Sequence, residues 1–151
     1  MNILVSACLL GLNCRYKGDN KYDRQVAALS KKHHLIPVCP EQMGGLPTPR
    51  PPVEILEGRA LDSTGKDVTL AFRMGAEEVL KLARLYDCKI AVLKSRSPSC
   101  GCGMIHDGTF TGGMTQGNGF TARRLLEEGV QVVSEEDIDG PAGLDGREDN
   151  I

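Results

Sequence analysis

Two stretches decide the fold. One is Ile3-Leu4-Val5-Ser6-Ala7-Cys8-Leu9-Leu10-Gly11; the other is Ile90-Ala91-Val92-Leu93-Lys94-Ser95-Arg96-Ser97-Pro98-Ser99-Cys100-Gly101. Each begins as a short, near-continuous apolar run and then breaks into small and polar residues around a cysteine. Such a run reads as a strand covered on both faces, as in a parallel sheet, and not as the alternating pattern of a half-exposed one. Residues 3–7, 35–38, 90–93 and 130–133 all have this character.

Helical patterns fall between these runs. Residues 22–33 place Val26 and Leu29 on one side. Over 70–87, Phe72, Ala76, Val79, Ala83 and Tyr86 share one face, with Arg73, Glu77, Lys81 and Arg84 opposite. Residues 121–128 form a third helix, with Thr121 as its expected N-cap and Gly129 just past its end. Strand–helix alternation predicts an α/β fold: one mostly parallel sheet, helices on both faces and right-handed crossovers.

Composition narrows the class. A chain of 151 residues suits one domain. Six aromatics and no Trp leave the core to aliphatic side chains. The net charge of −2 is unevenly spread: seven acidic residues and one Arg lie from Glu135 onward, so the rest of the chain is mildly basic. That balance suits a small polar or anionic substrate and is too weak for duplex nucleic acid. No run approaches a membrane span. The N-terminus faintly imitates a lipoprotein signal ending at Cys8, but it has no basic leader and too short an apolar stretch. The expected setting is cytoplasmic. Thiols stay reduced there, so six cysteines point to metal or catalysis before disulfides.

Two connections lack periodicity and read as functional loops: residues 40–68, with the proline-rich stretch 44–52, and the Gly- and Ser-rich residues 95–119. The acidic tail, 136–151, is expected to be disordered.

The cysteines carry the functional argument. Cys8 follows the first strand, Cys39 the second, and Cys100 lies in the loop after the third. Ligands of an open parallel sheet bind at the carboxyl ends of its strands, so these three thiols converge where the fold builds sites. No Cys-x-x-Cys pair occurs, against zinc-ribbon and thioredoxin readings. Cys88, at a helix end, reads as a small buried hydrophobe; Cys14 and Cys102 stand as alternative ligands. Three thiolates suit a 4Fe–4S cluster with one open iron, and soft thiolates also suit zinc or copper. His106 could complete a zinc set; His33 and His34 sit beside two lysines and are expected to be exposed.

Glu41, two residues beyond Cys39, is placed to handle a proton. Ser95, Ser97 and Ser99 precede Cys100 in a loop whose hydroxyls and backbone N–H groups could cradle an oxyanion. Arg15, Lys17, Lys21, Arg50 and Lys94 could supply positive charge near the site.

Three motifs in order then become familiar. They are Ser6-Ala7-Cys8-Leu9-Leu10-Gly11 with Cys14-Arg15-Tyr16; Cys39-Pro40-Glu41 with Gly44-Gly45-Leu46-Pro47-Thr48-Pro49-Arg50; and the 93–101 stretch. Together they resemble the thiouracil desulfidase (TudS) family, earlier defined as a domain of unknown function. The resemblance spans residues 1–135. It implies a Rossmann-like α/β domain carrying a 4Fe–4S cluster on Cys8, Cys39 and Cys100. The implied activity is non-redox removal of sulfur from a thiolated pyrimidine, giving uracil and sulfide. Glu41 and Ser97 are then the catalytic candidates, with Ser95, Ser99 and Arg50 binding substrate. Cys14 also belongs to the family pattern, and Lys17 stands where the family often has Asp. Two alternatives stay open: a non-catalytic iron–sulfur or sulfur-binding module, and a desulfidase of thiolated nucleotides. The chain is expected to act as a monomer or homodimer.

Overall fold

The four apolar runs become the four strands of one parallel sheet. The computed structural model describes residues 1–138. In chain order the elements are β1 (Asn2–Ser6), α1 (Arg24–Ala28), β2 (His34–Val38), α2 (Pro40–Met43), β3 (Val53–Leu56), β4 (Arg59–Asp62), α3 (Thr69–Leu85), β5 (Ile90–Leu93), β6 (Met104–His106), β7 (Met114–Gln116), α4 (Phe120–Glu127) and β8 (Gln131–Ser134). The sheet order is β2-β1-β5-β8, and all three pairings are parallel.

The chain steps one way from β1 to β2, then back across β1 to β5 and on to β8. Right-handed crossovers must therefore put α1 on one face and α3 and α4 on the other. The core divides accordingly. Leu4, Ala91 and Val132 face Val79, Leu80, Ala83, Ala122 and Leu125 of α3 and α4. Ile3, Val5, Ile90, Val92 and Val133 face the opposite way, toward Val26 of α1, Leu9 and Ile138. β1, β5 and β8 are covered on both sides, which is why their sequences do not alternate, whereas the edge strand β2 buries only Val38 fully. Ile138 is buried in this second layer, so the body runs past residue 135. The acidic segment from 139 onward, expected to be disordered, lies outside the described residues.

Several boundaries differ from expectation. The helix expected over 22–33 is capped by Asp23, whose carboxylate accepts the Val26 N–H at 3.0 Å, and it gives way after Ala28 to a 3-10 turn. Beyond Leu29 the sequence offers no apolar face to extend it. Thr121 does not cap α4: Gly119 does, and Thr121 is buried in the first turn. The Pro98 and Ser99 carbonyls accept the Phe120, Thr121 and Ala122 N–H groups at 2.9–3.1 Å, so no side-chain cap is needed.

Neither long connection is structureless. Residues 40–68 hold α2 and the β3–β4 hairpin, which turns at Glu57-Gly58 with both φ values positive (52° and 77°). Residues 95–119 hold the β6–β7 pair. Val53, Ala60 and Val68 seat the first hairpin on Phe72 and Phe120, whose rings meet edge to face at 5.8 Å. Among the described residues no helix is long and apolar enough to cross a membrane.

Candidate active site

Register sets the site. Ser6 lies opposite Val38 and Val5 opposite Val92, so β1, β2 and β5 end at one level. The order of strand entry reverses at β1, and the crevice outside that reversal is where such sheets bind ligands. A cavity of about 560 Å³ opens there, lined by Cys8, Cys14, Cys39 and Cys100. Cys8 sits in the 3-10 turn that follows β1, Cys39 is the N-cap of α2, and Cys100 is in the loop after β5. The three thiols read from sequence thus share one cavity, and Cys14 joins them. Cys88 is buried in the core away from it, and Cys102 packs partly buried against the α3–α4 layer.

The thiols perturb one another. Burial pushes the Cys100 thiol up to about 12, outweighing bonds from Ser6 and Ser99; Glu41 and Cys39 add to the rise. For Cys14 the bond with Cys39 pulls downward, but the bond with Cys8 and burial prevail, and the thiol rises to about 11. Cys39 is raised further by its bond to Cys14 and by burial, and its Sγ also donates to the Cys14 carbonyl at 3.7 Å. Crowded, buried thiols of this kind give up their protons only to a cation among them.

The donor set fits a soft metal group. It is all sulfur, as iron–sulfur clusters require. Among the described residues no three His, Cys, Asp or Glu groups are placed to hold a single ion; the thiols border a cavity instead. The zinc set with histidines is not formed. His34 begins β2 and His33 precedes it, at the strand end away from the thiols, and His33 is buried beside the Met1 amine at 3.3 Å. His106 does line the cavity.

Glu41 stands in the first turn of α2, next to Pro40 at the N1 position. Arg50 Nε donates to its Oε1 at 3.0 Å and Ser99 Oγ donates to its Oε2 at 3.1 Å. Ser97 Oγ lies 3.0 Å from Ser99 Oγ and accepts the Ser99 and Cys100 N–H groups at 3.1 and 3.0 Å. Because the Ser99 hydrogen goes to Glu41, Ser97 must donate to Ser99. The result is a directed chain, Ser97 to Ser99 to Glu41, with Ser99 only 2% exposed.

Arg50, assigned from sequence to substrate binding, lies in the cavity wall and is heavily engaged within the protein. Its side chain is 4% exposed, and four of its five N–H donors are spent on Glu41, the Pro47 and Cys14 carbonyls and Thr48 Oγ1. It holds the site together and has little left for substrate. Ser95 is similarly engaged: its N–H and Oγ donate to the two Glu135 oxygens at 2.7 and 3.0 Å, and Lys94 Nζ bridges Ser95 and Glu135. Burial alone would raise the Glu135 carboxyl, but the Ser95 N–H and Lys94 outweigh it and hold it below the usual range.

The expected backbone cradle is absent over most of the 95–103 loop. The N–H groups of Ser95, Ser99, Cys100, Gly101 and Gly103 already bond to Glu135, Ser97 or Asn118. Arg15 pairs with Asp19, and Lys17 stands over the Tyr16 ring. Glu54, which the sequence offers as an alternative proton acceptor to Glu41, lines the cavity, and so does Phe110, which sequence reasoning passed over. The Glu57-Gly58 turn between two apolar pairs was the signal that could have placed Glu54 on a strand.

Fold and site together define a Rossmann-like α/β protein that gathers thiols and carboxylates at the switch point of its sheet. Residues 3–137 match the model of the 2-thiouracil desulfurase family, and the chain belongs to that family. It is 38% identical over 146 residues to Uncharacterized protein YbbK of Bacillus subtilis (strain 168), covering 90% of this chain and 97% of that protein. Among solved structures it is similar to the [4Fe-4S]-dependent thiouracil desulfidase TudS (DUF523Vcz). There the TM-score is 0.85 at 43% identity, over 89% of this chain and 91% of that one.

Proposed function

We propose that this protein is a desulfidase that converts the C=S group of a thiolated pyrimidine such as thiouracil to C=O, taking up water and releasing sulfide. Cys8, Cys39 and Cys100 would hold a 4Fe–4S cluster. The observation that carries the reading is the Glu41 carboxylate, fixed by Arg50 and Ser99 on the wall of the cavity that the thiols line. Family membership and the likeness to a [4Fe-4S]-dependent thiouracil desulfidase support it.

When bound, the cluster supplies a soft Lewis acid for the sulfur that leaves. The chain supplies proton handling. Water attacks the thiocarbonyl carbon, and Glu41 accepts a proton from it. Glu41 can then return that proton to the sulfide as it leaves, so both water hydrogens depart with the sulfur, while Ser99, itself held by Ser97, keeps the carboxylate in place. Arg50 holds the carboxylate in position through its Nε donor at 3.0 Å. The carbon–sulfur bond is exchanged for a carbon–oxygen bond, so no electrons are gained or lost and no electron carrier is needed.

Anaerobic reconstitution followed by assay against 2- and 4-thiouracil tests the reading. About four irons per chain are expected. Cys8→Ala, Cys39→Ala and Cys100→Ala should each lose the cluster, and Cys14→Ala and Cys88→Ala should keep it. One zinc and no iron would overturn the cluster assignment. An intact cluster without turnover would leave a non-catalytic sulfur-binding module.

A further inference from the structure

Across the cavity from the carboxylate of Glu41 stands a second one that the proposed chemistry does not use. Glu54, on β3, is 9% exposed and lines the cavity. Its Oε1 accepts the Gly108 and Phe110 N–H groups at 3.0 and 3.1 Å. No described residue bonds its Oε2, and among the described residues no Lys, Arg or His pairs with it. Oε2 is not one of the sealed, unpartnered polar atoms of the described residues, so it is open to a donor entering the cavity.

The segment that Glu54 clasps is equally specific. Residues 107–113 close on themselves: the Asp107 N–H donates to the Gly113 carbonyl at 3.0 Å, and Asp107 Oδ1 accepts from both Thr109 N–H and Thr109 Oγ1. Phe110, between them, has φ 59°, a left-handed conformation that a bulky side chain adopts only where its surroundings impose it. Its ring lines the cavity and remains 39% exposed. A large apolar ring held in a strained conformation on the cavity wall is suited to covering a flat ligand.

We propose that Glu54 and Phe110 form the ring-recognition wall of this cavity: Glu54 Oε2 accepts a ring N–H adjacent to the thiocarbonyl, and Phe110 lies against the ring face. The inference rests on the desulfidase reading and deepens it. The ligand class it defines is a planar cyclic thioamide or thiourea with an unsubstituted N–H, in preference to an acyclic thioamide. Glu54 is a specificity residue here and takes no part in bond cleavage.

Glu54→Gln separates recognition from the clasp. Glutamine keeps a carbonyl oxygen for the Gly108 and Phe110 N–H groups and turns the cavity-facing acceptor into a donor. The variant should raise KM for 2-thiouracil, and the Kd of uracil measured by calorimetry, roughly ten- to a hundred-fold, with kcat nearly unchanged. Wild-type protein should discriminate by a similar factor against either 1-methyl- or 3-methyl-2-thiouracil, and Glu54→Gln should lose that discrimination. Phe110→Ala should raise KM for thiouracil but not for thioacetamide, and Phe110→Tyr should restore it. Wild-type uracil affinity in Glu54→Gln, or wild-type protein that treats both N-methyl isomers like thiouracil itself, would overturn the proposal. The latter comparison needs no variant to fold. Absence of thiouracil turnover by cluster-loaded wild-type protein refutes the desulfidase reading instead, and uracil calorimetry still decides whether the wall binds a pyrimidine.

Discussion

Replacing Gly75 by Ala tests whether the catalytic carboxylate is placed by a backbone contact between helices. Gly75 lies inside α3, where Ala is ordinarily better by about 1 kcal/mol. A Cβ built there would fall on the Pro40 carbonyl oxygen and lie 2.8 Å from its carbon. Gly44 makes the reciprocal contact: its Cβ would land on the Ala71 carbonyl, 2.9 Å from that carbon. Carbon atoms settle at about 3.5 Å or more, so α2 must retreat by close to ~1 Å to admit the methyl group. Overpacking of this kind costs ~1–3 kcal/mol, and the clash is backbone on backbone, which places it near the top of that range. After the propensity gain, Gly75→Ala should lose about 1–2 kcal/mol. Urea unfolding would read this as a midpoint lowered by roughly 0.5–1 M, for a slope of ~2 kcal/mol/M. Turnover should fall more steeply, because Pro40 adjoins Glu41 and a misplacement of ~1 Å can cost ~10²-fold. The Gly44→Ala, Gly75→Ala double variant should cost less than the sum, since one retreat of α2 accommodates both methyl groups. A Gly75→Ala protein with unchanged or raised stability and full activity would refute the reasoning.

The other expectations concern the polar chains. Glu41→Gln keeps the shape and an acceptor for Arg50, presents a donor to Ser99 in place of the second acceptor, and removes the base; it should retain the cluster by absorption and lose turnover by ~10²–10⁴-fold. Ser99→Ala breaks the link between Ser97 and Glu41 and should slow turnover by less. Glu135 is held below the usual carboxylate range, so it contributes stability above its unfolded pKa of about 4.3, and that contribution is lost as pH falls through the lower folded value. Glu135→Gln should therefore flatten the acid limb of a stability-against-pH curve measured by thermal melts; an unchanged acid limb would count against that link.

The sheet was legible because its physics is local to each strand. A strand buried on both faces shows itself as a continuous apolar run, and 90–93 was predicted to the residue. Cys8, Cys39 and Cys100 were legible for a topological reason: they follow strands that a parallel sheet must align at one edge. What escaped the sequence depends on long-range closure. β3 and β4 are four residues each, and β6 and β7 three, too short to establish a period, and their pairing is visible only as a Glu-Gly turn. The role of Arg50 escaped for the same reason. A basic residue in a proline-rich stretch can be placed near the site from sequence, but its bonds to the Cys14 carbonyl and Glu41 exist only once the fold closes.

The same closure explains why the serine-rich loop offers hydroxyls and so few free N–H groups. Residues 97–100 turn tightly enough that their own N–H groups are taken by Ser97 Oγ, while the Pro98 and Ser99 carbonyls cap α4. Gly119 permits that approach, since a Cβ there would lie 2.5 Å from the Ser99 carbonyl. The loop is thereby fixed between β5 and α4, and the freedom left to it is the direction of two hydroxyl hydrogens. An anion-binding nest would need the N–H groups that this arrangement spends on rigidity. What it gains is a stiff two-hydroxyl support for the cavity carboxylate, with Cys100, a proposed cluster ligand, anchored on the same turn. Proton transfer and sulfur capture would then share one rigid element, and a perturbation of Gly119 should disturb both together.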